Sequence, residues 1–194
     1  MKHRSRTLIS LLFFIFLSTH AHGMTAEDYY ANGVADAKKM NYDEAIVNLT
    51  KAIELSPNDF KIWFYRGFVY EQTKDYNNAI ADHTKVIALH PTLYDVYINR
   101  GRVYLTVGQY DKAINDLNQA ISISPGRFFA YYYRSIVYLR LGENDDAARD
   151  IRKAITIDPS SRIAQIVMAE YYAVVNDSSQ ACSWLEKALK SGFL

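Results

Sequence analysis

Cysteine is nearly absent from this chain of 194 residues, Cys182 being the single one, and proline and glycine are sparse at four and eight. One thiol excludes an intrachain disulfide framework and any zinc site built on cysteine pairs, so packing must hold the fold. The shortage of proline and glycine excludes a collagen-like or low-complexity chain. Charge of one sign is missing too: 22 Lys and Arg stand against 21 Asp and Glu, a balance that argues against nucleic acid as a partner. No apolar run reaches the ~20 residues that span a bilayer. The phosphate-binding G-x-x-x-x-G-K-[ST] loop, the dinucleotide G-x-G-x-x-G turn, H-E-x-x-H, C-x-x-C and G-x-S-x-G are all lacking. These absences predict no enzyme, no catalytic residue, no cofactor and no metal site. What is abundant is tyrosine, 16 residues in a chain whose hydrophobic (49%) and charged (22%) fractions are those of an ordinary globular protein.

The amino terminus reads as an export signal. Lys2, Arg4 and Arg6 precede the uncharged run Leu8 to Leu17, and small residues at Ala21 and Gly23 suit cleavage before Met24, with cleavage after Ala21 as the other choice. Removing residues 1–23 takes three of the 22 basic side chains and none of the 21 acidic ones, which leaves a net charge of −2. The expected mature protein is periplasmic or secreted, and contacts a membrane only if the segment is retained as an anchor.

The rest of the chain is one unit repeated. Gly33, Gly67 and Gly101 are 34 residues apart, and Ala45, Ala79, Ala113, Ala147 and Ala181 extend the period. Tyr70, Tyr104, Tyr138 and Tyr172 follow it, as do Pro57, Pro91, Pro125 and Pro159. Each unit reads as two amphipathic helices around a turn at Gly, Asn or Asp. In the third unit the spacing predicts helices over 96–107 and 110–123, broken at Gly108-Gln109. A glycine inside a helix costs about 1 kcal/mol relative to alanine, so its recurrence implies close helix packing. Pro125 ends the second helix of its unit or lies just beyond it, because proline has no N–H to continue the ladder.

In the second unit the recurring residues are Trp63, Gly67, Tyr70, Ala79, His83, Val86 and Pro91. This pattern resembles the tetratricopeptide repeat (TPR) family, over residues 26–194. The resemblance implies an all-α, right-handed α-solenoid of five helix-turn-helix units at 26–59, 60–93, 94–127, 128–161 and 162–194. The end units depart from the pattern, with Asp36 in place of Tyr and with Gln165 and Ser178 in the fifth, as expected of units with one neighbour. Trp184 and Leu185 are expected to be partly exposed at the end of the array, where they would suit a homo-oligomer contact or a closed last helix pair. His83 and His90, seven apart on one expected helix, are read as packing residues, and Cys182 as a small buried hydrophobe.

At 100° per residue, positions four, seven, eight and eleven of each first helix face the second helix, while positions two, five, nine, twelve and thirteen face away. The family resemblance implies that this second set lines a concave peptide-binding groove. The groove candidates are Tyr30, Lys61, Phe64, Phe68, Ile98, Arg102, Phe129, Tyr132, Ile136 and Arg140. Packing against the next repeat is the competing reading for Val34, Phe68 and Ile136. Large aromatics in a concavity are typical binding anchors, which favours Tyr30, Phe64, Phe129 and Tyr132. Chaperone-binding members hold a terminal carboxylate with a Lys, Asn and Arg clamp, but Tyr30 and Val34, or Phe64 and Phe68, stand at the places of its first Lys and Asn. Arg102 and Arg140 suit either an acidic group on an apolar ligand or ion pairs with Glu71 and its neighbours. Ten tyrosines at positions four, eleven and seventeen are packing residues of the repeat, and Tyr30 and Tyr132 are left for the groove. The expected function is an exported scaffold that binds a protein or peptide partner and supports assembly of an envelope complex, with self-assembly through the array ends as the alternative.

Overall fold

The computed structural model describes residues 23–190, so the basic and apolar parts of the expected export signal lie outside the described residues. Within them the chain forms ten helices and no strand. They run as α1 (Ala26–Lys38), α2 (Tyr42–Leu55), α3 (Phe60–Gln72), α4 (Tyr76–Leu89), α5 (Tyr94–Thr106), α6 (Tyr110–Ile123), α7 (Phe128–Leu141), α8 (Asn144–Ile157), α9 (Arg162–Val174) and α10 (Ser178–Lys190). Each odd-numbered helix packs on the even one that follows, and each even helix packs on the next odd one. The result is an all-α solenoid in which no described helix is long and apolar enough to cross a membrane. The third-unit helices begin or end within two residues of the expected bounds.

Local chemistry explains the helix ends. Thr25 and Asp28 form a capping box at α1, and the side chains of Asp59, Asp75 and Ser161 accept from backbone N–H groups at the starts of α3, α4 and α9. Within every unit the turn closes by one six-residue bond, from the N–H of Asn41, Asp75, Gln109, Glu143 and Asp177 to the carbonyl of Asp36, Tyr70, Tyr104, Tyr138 and Tyr172, at 2.8 to 3.0 Å. That bond requires a left-handed residue just before the donor. Gly108 and Gly142 supply it, and Met40, Lys74 and Asn176 adopt it at φ of 60 to 64°. Asn41 and Asp75 stand in the turns of the first two units as expected, while the left-handed residue itself is Met40 or Lys74, held by the closing bond in a conformation that costs each about 1 kcal/mol or more.

The glycine at position eight is a contact requirement. A Cβ on Gly33 would stand 2.7 Å from Leu49 Cγ, and one on Gly67 would stand 2.8 Å from His83 Cε1. The recurring alanines of the second helices meet this approach, with Ala45, Ala79, Ala113 and Ala147 fully buried. Each proline serves the next unit: its carbonyl accepts from Trp63 Nε1 (2.9 Å), Tyr97 OH (3.0 Å), Tyr131 OH (3.1 Å) or Gln165 Nε2 (3.2 Å). Gln165, a departure from the aromatic pattern, thus makes the same inter-repeat bond with an amide donor.

A second polar device joins repeats. Arg66, Arg100 and Arg134 grip Asp82, Asp116 and Asp150 of their own units with two bonds each, at 2.6 to 2.8 Å. The remaining Nη1 of each reaches back to the preceding unit, to Thr50, Thr84 and Asn118 respectively. The guanidinium groups also lie over aromatic rings, Arg66 at 5.0 Å from Trp63 and Arg134 at 5.8 Å from Tyr138. Burial works against the charge on Arg100, but the hydrogen bonds and field of Asp116 outweigh it, and its pKa stands above the ordinary value. Met168 and Trp184 replace the pair in the last unit.

Cutting this ladder at its centre strands a buried cation. Asp116→Ala is expected to destabilise the array by about 3–5 kcal/mol, the usual cost of removing one partner of a buried pair. Urea denaturation followed by circular dichroism measures it, and a loss below about 1 kcal/mol contradicts the assigned role.

Candidate binding groove

The first helices of successive repeats touch one another, which places their outward residues in a row. At the amino-terminal part of that row lies an apolar cleft of about 320 Å³ lined by Tyr30, Phe60, Lys61, Phe64, Tyr65, Leu93 and Asp95. Three groove candidates, Tyr30, Lys61 and Phe64, converge there from α1 and α3. A wider opening of about 690 Å³ shares Tyr30 and Lys61 and extends along Met24, Leu55 and Ile62. Aromatic contacts continue the wall: Tyr30 meets Tyr65 edge-on at 6.0 Å, and Tyr65 meets Phe68 at 5.9 Å. Phe68 is 39% exposed. Burial, with Tyr65 and Asp59 adding to it, raises the Tyr30 phenol pKa, so its hydroxyl stays a neutral donor.

A second aromatic cluster occupies α7. Phe128 stacks on Tyr132 at 5.5 Å, Phe129 on Tyr133 at 6.3 Å, and Tyr132 meets Tyr133 edge-on at 4.8 Å. Phe129 is 44% exposed, while Tyr132 also packs on the cluster of Ile151, Val167 and Met168. Ile136 is half-buried and Arg140 is exposed. Tyr65 and Tyr133, both at position six, went unassigned on sequence grounds. Their angle on the helix, only ~20° beyond position thirteen, was the available signal.

One groove candidate is corrected. Ile98 is 7% exposed and belongs to the central core with Val96, Leu117 and Val137, because α5 is covered on both flanks by neighbouring repeats. Arg102 takes the ion-pair alternative of the two expected for it: its Nη2 is bonded to Glu71, whose carboxylate is 3% exposed. Glu71 in turn accepts from His83 Nε2 at 2.8 Å. His83 Nδ1 is buried and has no hydrogen-bond partner among the described residues. Phe64 lies 6.0 Å from the His83 ring, so this polar chain runs from the core beside the cleft to the surface. Tyr133 faces it from α7: burial raises its pKa, against the field of Arg102 and with that of Glu71.

His83 is a packing residue as expected, and His90, the C-cap of α4, packs on Phe60 at 4.8 Å. Cys182 is exposed, not buried, because no described element covers its side of α10. Among the described residues no group of three His, Cys, Asp or Glu is placed to hold a metal ion.

Comparison with known proteins agrees with this geometry. A TPR repeat profile matches residues 29–74, and tetratricopeptide repeat profiles match residues 94–127 and 128–161. No curated protein matches the sequence significantly. Among solved structures, a crystal structure of MamA protein aligns at a TM-score of 0.74 and 26% identity, covering 86% of this chain and 91% of that one. MamA from residue 41 to its end, from Desulfovibrio magneticus RS-1, aligns at 0.78 and 21% identity over 89% and 97%. A thermophilic TPR protein of Thermus thermophilus aligns at 0.72 and 20% identity over 86% and 91%. The last two show a common fold alone.

The polar chain sits where most other repeats are apolar: Val34, Phe68 and Ile136 match Arg102, with Glu170 the exception in the fifth unit, Leu105 and Leu139 match Glu71, and Leu49 and Leu117 match His83. Glu71→Leu alone is expected to cost about 2–4 kcal/mol by stranding two partners. Adding Arg102→Ile and His83→Leu is expected to restore stability to within about 1 kcal/mol of the parent or above it. Chemical denaturation of the two variants decides; an equal loss in both makes the chain a packing requirement.

Proposed function

Since the chain belongs to the tetratricopeptide repeat family, and so is a protein–protein interaction scaffold, we propose that it binds an extended or helical peptide segment along the row of first helices. The observation that carries this reading is the convergence of Tyr30, Lys61, Phe64 and Tyr65 on one apolar cleft. The ligand side chains that suit it are aromatic or aliphatic, with burial of apolar surface as the driving force and no covalent step. Lys61 and Asp95 at the rim orient the ligand more than they hold it, since exposed charges contribute little. The α7 aromatics, Phe129 and Tyr132, form a second anchor point farther along the row. The Arg102–Glu71 pair between them is internally neutralised, which favours an uncharged stretch of ligand over an acidic one.

Phe64→Ala with Tyr132→Ala is expected to weaken partner binding by about 10–100-fold, the range of one to two hot-spot residues, with helicity unchanged. Capture from envelope extract, identification of the captured protein and titration against parent and variant proteins read this out. Equal affinity for both would remove the groove from the binding reaction.

The proposed place of action is outside the cytoplasm, in the periplasm or the medium, in support of an envelope complex. Its support is the basic start and apolar run of residues 1–23. Cell fractionation with amino-terminal sequencing is expected to find a chain that begins at Met24. A cytoplasmic chain that begins at residue 1 would overturn the export proposal and leave the groove untouched.

A further inference from the structure

The groove is rich in rings and poor in hydrogen-bond donors. An extended ligand lying along it loses water from its own backbone, and each main-chain carbonyl so buried needs a donor. Phe64, Phe68 and Ile136 offer none from their side chains, whereas the guanidinium of Arg102, at outward position nine of α5, carries five N–H groups and no acceptor. Its Nη2 is spent on Glu71, while Nε and Nη1 have no hydrogen-bond partner among the described residues, and the side chain is 35% exposed. The pairing also fixes where this arginine sits. Glu71 is bonded through its other oxygen to Nε2 of the fully buried His83 at 2.8 Å, and a buried carboxylate with two partners cannot follow a mobile side chain. Phe64, 6.0 Å from the His83 ring, marks the cleft side of the pair. Tyr133 marks the other side: it feels the fields of both Arg102 and Glu71 and stacks on the exposed Phe129 at 6.3 Å.

We infer that the Arg102–Glu71 pair is the selectivity element of this groove. Arg102 donates through its free N–H groups to main-chain carbonyls of an extended, uncharged stretch of ligand, and Glu71, held by His83, is the positioning residue that aims it and cancels its charge. The inference rests on the groove reading above and deepens it. Charge complementarity identifies the occupant. A guanidinium neutralised by a buried carboxylate presents donors without net charge, so its complement is a neutral acceptor, and an acidic side chain gains little there while losing its own water. The same arginine without Glu71 would prefer a carboxylate, since hydrogen bonds between two ionised groups are the stronger ones. Glu71 thus acts against acidic ligands more than it acts for neutral ones, and specificity is that difference. The ligand that fits carries apolar or aromatic side chains for the Phe64 and Phe129 ends and no Asp or Glu opposite Arg102.

A displayed library of random peptides of about 12 residues, which span up to ~40 Å when extended, tests this by panning on the parent protein and on Glu71→Gln. That substitution keeps the shape of the side chain and removes its charge. Peptides recovered on the parent are expected to carry apolar residues toward both ends and no acidic residue between them. Those recovered on Glu71→Gln are expected to carry Asp or Glu there and to bind it at least ~10-fold more tightly than they bind the parent. Replacing a central amide of a parent-selected peptide by an ester weakens its carbonyl as an acceptor, and calorimetric titration is expected to show a loss of about 3–10-fold with the parent. The triple variant Glu71→Leu/Arg102→Ile/His83→Leu, which keeps the aromatic anchors, is expected to bind ester and amide alike; it controls for the N–H lost in the ester and serves if Glu71→Gln does not fold. Acidic peptides recovered equally on parent and Glu71→Gln, or an ester effect equal in parent and triple variant, would overturn the proposal and leave the groove in place. Selected peptides that bind Phe64→Ala/Tyr132→Ala as tightly as the parent would remove the groove itself, and this proposal with it.

Discussion

A two-helix unit of 34 residues cannot bury both faces of its second helix, so each repeat depends on the first helix of the next for cover. Every major feature of the structure answers to that constraint. Leu49, Leu117 and Ile151 are buried because a following helix lies over them, and Ile62 and Val69, Ala130 and Val137, and Val167 and Met168 supply the cover in turn. The same arrangement puts the first helices side by side and leaves their other faces in a row. The groove is thus a by-product of stacking, shaped by whichever residues the stacking does not need.

Polar bonds set the geometry within which this burial works. The carbonyl of each proline is met by the position-four donor of the next unit, and each central arginine ties an aspartate of its own unit to a hydroxyl or amide of the preceding one. These bonds are directional where apolar contact is not. They also explain the composition: Trp63, Tyr97 and Tyr131 each offer a large apolar body with one donor at the tip, which is what a junction between two helices and a proline turn requires. Tyr97 and Tyr131 are two of the 16 tyrosines, so most of the tyrosine excess lies at other positions.

The Arg102–Glu71–His83 chain shows the cost of departing from the repeat. Its members stand where most other units carry an apolar residue, and His83 Nδ1 has no partner among the described residues. Its position between the cleft at Phe64 and the aromatic cluster of α7 places it within the proposed binding surface, where it replaces apolar contact by a neutral polar patch.

Helix order, turn positions and the 34-residue period were legible in the sequence, because they follow from local spacing and from glycine, alanine and proline at fixed offsets. So were Tyr30, Lys61 and Phe64 as neighbours, since position five of adjacent units must come close when first helices lie in a row. The Arg66–Asp82 ladder was also written at that period and passed unread, because spacing shows which residues recur and not which ones meet. What only the tertiary structure decided is cover. Helical angle gave Ile98 and Phe68 similar outward directions, yet neighbouring repeats bury Ile98 and leave Phe68 open. Cys182 resembles the isoleucines at its position in earlier units but is exposed, because in those units the following helix provides the burial and none of the described elements follows α10. Direction is a property of one helix and its sequence; burial belongs to the pair of surfaces, and the second surface comes from elsewhere in the chain.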